Sequence, residues 1–261
     1  MKATDLPSNA FVKLINIGGS GSGKTGSLIS LLRAGYTLRI LDMDNNIRSL
    51  IELCKHENPK LLDQLDVIQL GEKFRASTVS GIEVSGQPQS YAKMVQFLGK
   101  WDDGTSPAEW GDRTVFVLDT LTAAGTAAFH WARGMNPASK DLRQWYAAAQ
   151  EAISKLLEML ASPHFATNVI INSHVELIEL DGGLVKGFPS SIGKALAPKV
   201  AKNYSTLLVC ESKGTGTSVS RTITTVPTSR IEAKNPIPFK LDKSLPLDTG
   251  LATIFSALRS A

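Results

Sequence analysis

The chain has 261 residues, 43% apolar and 20% charged, with 28 Lys/Arg against 24 Asp/Glu for a formal net charge of +4. Those fractions are ordinary for a well-packed core, and the length suits one large α/β domain or two small ones. No apolar run approaches the ~20 residues that span a bilayer. The first one, Phe11 to Ile17, runs into a glycine loop without a small-residue cleavage site, so neither a membrane anchor nor a signal peptide is read. The expectation is a cytoplasmic protein. Cys54 and Cys210 stand apart, with no Cys-x-x-Cys or Cys/His cluster, which argues against a disulfide framework or a zinc site.

Charge is unevenly placed. From Lys186 onward there are eleven Lys/Arg against four acids, a net +7, which leaves −3 for the first 185 residues. A basic third is compatible with a polyanionic partner, and equally with a solvated enzyme surface.

In chain order, Phe11 to Ile17 reads as a buried strand, followed by Gly18-Gly-Ser-Gly-Ser-Gly-Lys-Thr25 and an apolar helix to about Leu32. Thr37 to Leu41 is a second strand ending in Asp42-Met43-Asp44. A helix from Ile47 to about His56 and a strand from Leu65 to Leu70 come next. Gly71 to Gln89 is a loop or irregular hairpin, Tyr91 to Leu98 a short helix, and Asp102 to Asp112 a loop. Thr114 to Asp119 is an apolar strand closed by a carboxylate. Two helices follow, from about Leu121 to Ala132 and from about Leu142 to Ala161. The second is amphipathic, with Asp141 as N-cap and Pro163 beyond its end. Asn168 to Asn172 is another buried strand.

This alternation predicts a mostly parallel sheet covered on both faces. Short strands near Thr206–Cys210 and Ser218–Val226 predict an antiparallel extension, and Leu251 to Leu258 a closing helix. With no repeat and no long linker, the whole chain, 1–261, is read as one domain.

The loop carries the chemistry. Gly-x-x-x-x-Gly-Lys-Thr sits directly after a strand and opens a helix, the setting a phosphate loop requires. Gly18, Gly19, Ser20, Gly21, Ser22, Gly23 and Gly26 let backbone N–H groups face phosphate oxygens. Lys24 reaches the β- and γ-phosphates, and Thr25 ligands Mg²⁺. Asp119 fits the carboxylate that holds the metal through its water shell. The ligand expected is Mg·ATP.

With these elements in place, the chain resembles the RecA-like ATPase core from roughly Phe11 to Phe239. That resemblance implies that Asp44 is the general base and Asp42 a supporting acid, helix capping being the other reading of Asp44. It implies that Asn172, Ser173 and His174 end a strand that senses the γ-phosphate. Gly187 to Leu196 then stands for a mobile DNA loop leading into an apolar, basic helix. Single-stranded DNA would be bound from about Leu184 to Lys202, by Lys186, Lys194, Lys199 and Lys202. Arg230 and Lys234 stand where such proteins place cations that reach a neighbour's ATP, Lys213 and Arg221 being competing candidates. A ring or filament is thereby implied, since no arginine is read as reaching the loop within its own chain.

A core of this size looks most like the small phage-encoded RecA-core recombinases that work beside single-strand DNA-binding proteins in recombination or annealing. The alternative is an ATPase coupled to a protein partner, such as a packaging or replication factor. A small-molecule phosphotransferase would need an arginine-rich lid, and the arginines are scattered. The Asn-Lys-x-Asp motif of GTPases is absent.

Overall fold

The computed structural model describes residues 11–79, 81–139, 141–180 and 182–260. The first apolar run becomes β1 (Lys13–Gly18). A helix then starts at Lys24, and Leu28 divides it into α1 (Lys24–Ser27) and α2 (Ile29–Arg33). β2 (Thr37–Asp42), α3 (Arg48–Glu57) and β3 (Leu65–Gln69) follow. The Gly/Ser-rich stretch folds as an antiparallel hairpin of β4 (Phe74–Ser77) and β5 (Gly81–Val84), and α4 (Ser90–Gly99) comes after it. Next are β6 (Gly111–Asp119), α5 (Leu121–Met135), α6 (Leu142–Ala161) and β7 (Thr167–Ser173). Asp141 caps α6 by accepting the Arg143 N–H, as its sequence position predicts. A second hairpin, β8 (Val175–Glu179) and β9 (Val185–Pro189), precedes β10 (Thr206–Lys213) and β11 (Ser220–Thr224). β12 (Ser244–Pro246) and α7 (Leu247–Arg259) complete the order.

Eight of these strands form one sheet in the order β12-β11-β10-β1-β7-β6-β2-β3. From β10 to β3 every pairing is parallel, and β11 and β12 add antiparallel strands at one edge. Alternate side chains feed two cores, because successive residues of a strand point to opposite faces. Ile15 and Ile17 join Trp101, Phe116, Trp145 and Leu157 under α4, α5 and α6. Leu14 joins Leu28, Leu50, Leu251 and Phe255 under α2, α3 and α7. Burial on both faces explains why the central strands read as continuous apolar runs. The architecture is a RecA-like P-loop NTPase fold with an antiparallel C-terminal extension, the class expected from the sequence.

This order decides the site. The loop leaves the carboxyl end of β1, with the ends of β7, β6 and β2 on one side and β10 and β11 on the other.

One expectation is corrected. The helix read in Gly187 to Leu196 is absent: Val185–Pro189 is strand β9, and the helical piece is a 3-10 segment at Ala197–Asn203. Gly193, at φ 67°, turns the backbone out of a right-handed helix.

Candidate nucleotide site

The loop's sequence is dictated by space as well as by backbone freedom. Gly23 has φ 98°, and a Cβ there would stand 2.7 Å from Leu247 Cδ2 and 3.0 Å from Arg221 Cδ. At the other end, a Cβ on Gly18 would meet Ser22 Oγ at 2.4 Å and the Cys210 carbonyl at 2.6 Å. Between them the loop curls around Lys24, whose Nζ donates to the Gly18 and Gly19 carbonyls at 2.9 and 3.0 Å. Burial lowers the Lys24 pKa, opposed by the nearby Cys210, Asp119 and Asp44. An ammonium satisfied by neutral carbonyls and stripped of water favours an arriving anion.

Thr25 follows, and its Oγ1 donates to Asp119 Oδ2 at 2.7 Å. Burial pushes the Asp119 carboxyl up to about 6; the Thr25 hydrogen bond works against the rise and Asp44 adds to it. Asp44 accepts from Thr120 Oγ1 at 3.4 Å through Oδ2, while its Oδ1 is buried without a partner.

Asp42 does something different. It accepts the N–H groups of Asn46 and Ile47 at 3.2 and 3.4 Å and an amide hydrogen of Gln69 at 3.0 Å. Both Asp42 oxygens are thus engaged at the turn that leads into α3, and Asp42 does not line the cleft.

Beneath the loop runs a buried polar row. Cys210 Sγ on β10 donates to Asn16 Oδ1 on β1 at 3.1 Å, and Asn16 Nδ2 donates to Asn172 Oδ1 on β7 at 3.2 Å. Asn172 pairs in register with Asp119 on β6. Its Nδ2 lies buried beside Asp119, where Asn172 works against the rise of the Asp119 pKa, and Ser22 Oγ is buried without a partner. His174 comes just after β7, with its N–H on Thr122 Oγ1 at 3.1 Å. Burial, then the charge of Lys24, holds the His174 pKa below its ordinary value, with Asp44 opposing, so a neutral imidazole is favoured at neutral pH.

One cleft of about 740 Å³ brings Lys24, Thr25, Asp44, Asp119 and His174 together. Ser20, Gly21, Gly23 and Gly26 also line it, whereas Gly18, Gly19 and Ser22 line a smaller cavity of about 270 Å³ behind the loop. Arg48, Arg221 and Leu247 were not placed here by sequence reasoning, yet they line the cleft. Arg221 Nε donates to the Gly21 carbonyl at 3.1 Å. The expectation that no arginine reaches the loop within its own chain is thus corrected. The missed signal was topological: β11 runs back antiparallel to β10, so its first residues return to the loop's level.

Arg230 and Lys234 do not line the cleft. Arg230 is exposed and its carbonyl accepts the Gly187 N–H. Lys234 Nζ donates to the Ala201 carbonyl at 2.7 Å, so this cation is already engaged in its own chain. Among the expected DNA contacts, Lys202 pairs with Glu158 at 3.0 Å and Lys186 lies 5.8 Å from the Phe188 ring centroid. Lys194 and Lys199 are exposed and carry no ion pair among the described residues. Trp101, Trp110, Trp131 and Tyr146 all lie outside the cleft lining.

The chain matches the AAA_24 family, an AAA domain, over residues 10–237, and it belongs to that family. No curated protein matches it. Solved structures give distant likenesses of fold. The RadB recombinase shares 14% identity over 82% of this chain and 79% of its own, with a TM-score of 0.46. The flagellar accessory protein FlaH from Methanocaldococcus jannaschii shares 13% over 92% and 87%, with a TM-score of 0.42. A KaiC-like protein from Pyrococcus horikoshii OT3 shares 11% over 82% and 78%, with a TM-score of 0.41. No described helix is long and apolar enough to cross a membrane.

Proposed function

We propose that this chain binds and hydrolyses Mg·ATP and acts on single-stranded DNA, in the manner of phage-encoded proteins that recombine or anneal strands. The observation that carries the ATPase part is the Thr25–Asp119 contact of 2.7 Å in the same cleft as the buried Lys24 and the half-open Asp44. The residues fit the ligand. Lys24 hydrogen-bonds only neutral carbonyls, Asp119 is raised by burial, and Asp44 Oδ1 is buried without a partner. A hydroxyl and a carboxylate are hard oxygen donors of the kind Mg²⁺ prefers, and Thr25 and Asp119 would hold it. The metal supplies charge neutralisation at the transferred phosphoryl group.

The protein's own residues do the rest. Lys24 neutralises the β- and γ-oxygens, and Asn172 Nδ2 and the neutral His174 imidazole are donors for the terminal phosphate. Asp44 takes the proton of the attacking water on Oδ1, while Thr120 steadies Oδ2.

Lys194 and Lys199 support the DNA part, because nothing in the described chain neutralises them. Expected is single-strand binding whose affinity falls with salt. Lys194→Ala and Lys199→Ala should each flatten the log-affinity against log-salt slope by somewhat under one unit. Lys186→Ala and Lys202→Ala should change it less, since those cations already have partners. Fluorescence anisotropy at a series of salt concentrations measures this.

A second reading, a protein partner, is favoured by the β8–β9 hairpin. It exposes Leu177, Leu184 and Val185 and carries Glu176 and Glu179, a poor surface for a polyanion. ATP turnover with and without single-stranded DNA separates the two. Stimulation supports the DNA reading, and indifference to DNA together with salt-independent binding favours the protein partner.

Assembly into a ring or filament is part of the same proposal, with Arg230, exposed and without an ion pair among the described residues, as the cation for a neighbour's site. Lys24→Ala and Arg230→Ala subunits are each expected to be inactive alone and partly active when mixed. Absence of recovery, with light scattering of a monomer at full turnover, would sink the shared site.

A further inference from the structure

The cleft has two flanks, and the proposed chemistry uses only one. Asp119 ends β6 and Asp44 follows β2, so the carboxylates stand on the β7-β6-β2 side of the loop. Arg221, near the start of β11, and Leu247, the first residue of α7, stand on the β10-β11 side. There they meet the loop directly. Arg221 Nε donates to the Gly21 carbonyl at 3.1 Å, and both side chains close on the bare face of Gly23.

No tyrosine, tryptophan or phenylalanine lines the cleft among the described residues, although a nucleotide site needs a flat or apolar surface for its base. Arginine offers one, since its planar guanidinium stacks on aromatic rings and its stem is apolar. The Nε bond to Gly21 fixes the fork, and among the described residues no hydrogen bond engages its Nη groups. Leu247 supplies an apolar neighbour.

We propose that Arg221 and Leu247 form the wall that takes the nucleoside, so that the base is held by a guanidinium plane and an aliphatic side chain on the flank opposite the carboxylates. This rests on the ATP-binding reading above and adds the residues that grip the part of the ligand lying beyond the phosphates.

The test compares two probes, ATP and inorganic triphosphate, by calorimetry on the full chain. Arg221→Ala is expected to weaken ATP about tenfold more than it weakens triphosphate, the scale of one good stacking contact. Leu247→Ala should act in the same direction. Arg221→Lys should behave as Arg221→Ala, because it keeps the charge and loses the plane. If triphosphate weakens in step with ATP, Arg221 acts on phosphate and the wall is overturned. Unchanged ATP affinity in Arg221→Ala and Leu247→Ala, with wild-type melting temperatures, overturns it equally. Failure of the ATP reading itself looks different: the wild-type chain would bind neither probe, and both statements would fall.

Discussion

Lys24→Ala is expected to abolish ATP turnover and to weaken ATP binding by one to two orders of magnitude, about the worth of a charge-assisted hydrogen bond. The substitution removes the cation facing the β- and γ-oxygens and also the two bonds that shape the loop around Gly18 and Gly19. It should not cost the fold. Burial already lowers the Lys24 pKa, which means that the unliganded protein holds this charge at an energetic disadvantage. The expected combination is lost turnover with a melting temperature at or above that of the wild type. Normal turnover would end the phosphate-loop reading, and a collapsed melting temperature would make Lys24 a structural residue.

Asp44→Asn is expected to keep ATP affinity and slow turnover by a factor on the order of 10² or more, the scale of a lost general base. Asparagine has the same shape and can still accept from Thr120, so only proton acceptance is removed. Single-turnover kinetics beside a binding titration would separate the effects. Loss of binding would move Asp44 to holding the nucleotide. An unchanged rate would leave no nearby substitute in Glu52, which pairs with Lys55 at 3.0 Å and does not line the cleft.

Much of this site was legible in the sequence because it is local. The loop, the helix it opens and the strand ending in Asp119 are each contiguous, and each carries its own period or glycine signal. What was not legible depends on pairing between distant segments. Asp42 and Asp44 are two residues apart and chemically identical. Only the turn after β2 decides that the first binds the N–H groups of Asn46 and Ile47, just ahead of α3, and the second faces Thr120. Arg221 reaches Gly21 across 200 positions of sequence, through an antiparallel return that no local pattern announces. β8 carries no strand signal in the sequence because none of its residues is fully buried, so it lacks the buried face that makes a strand visible. Lys234 read as free because its partner is a backbone carbonyl, which no sequence pattern can mark.

The polar row under the loop has a sense of direction. The Cys210 thiol, pushed up to about 12 by burial, stays protonated and so can act as a donor. Asn16 turns its carbonyl toward β10 and its amino group toward β7, and that amino group occupies the carbonyl of Asn172. The end left over beside Asp119 is then an amino group, and it cannot be exchanged for a carbonyl by a simple amide flip. A sulfur atom two strands away from Asn172 thus belongs to the same hydrogen-bonded row as the amide beside Asp119. The row carries one donor-to-acceptor sense across three strands, from the thiol through two amides to the edge of the carboxylate.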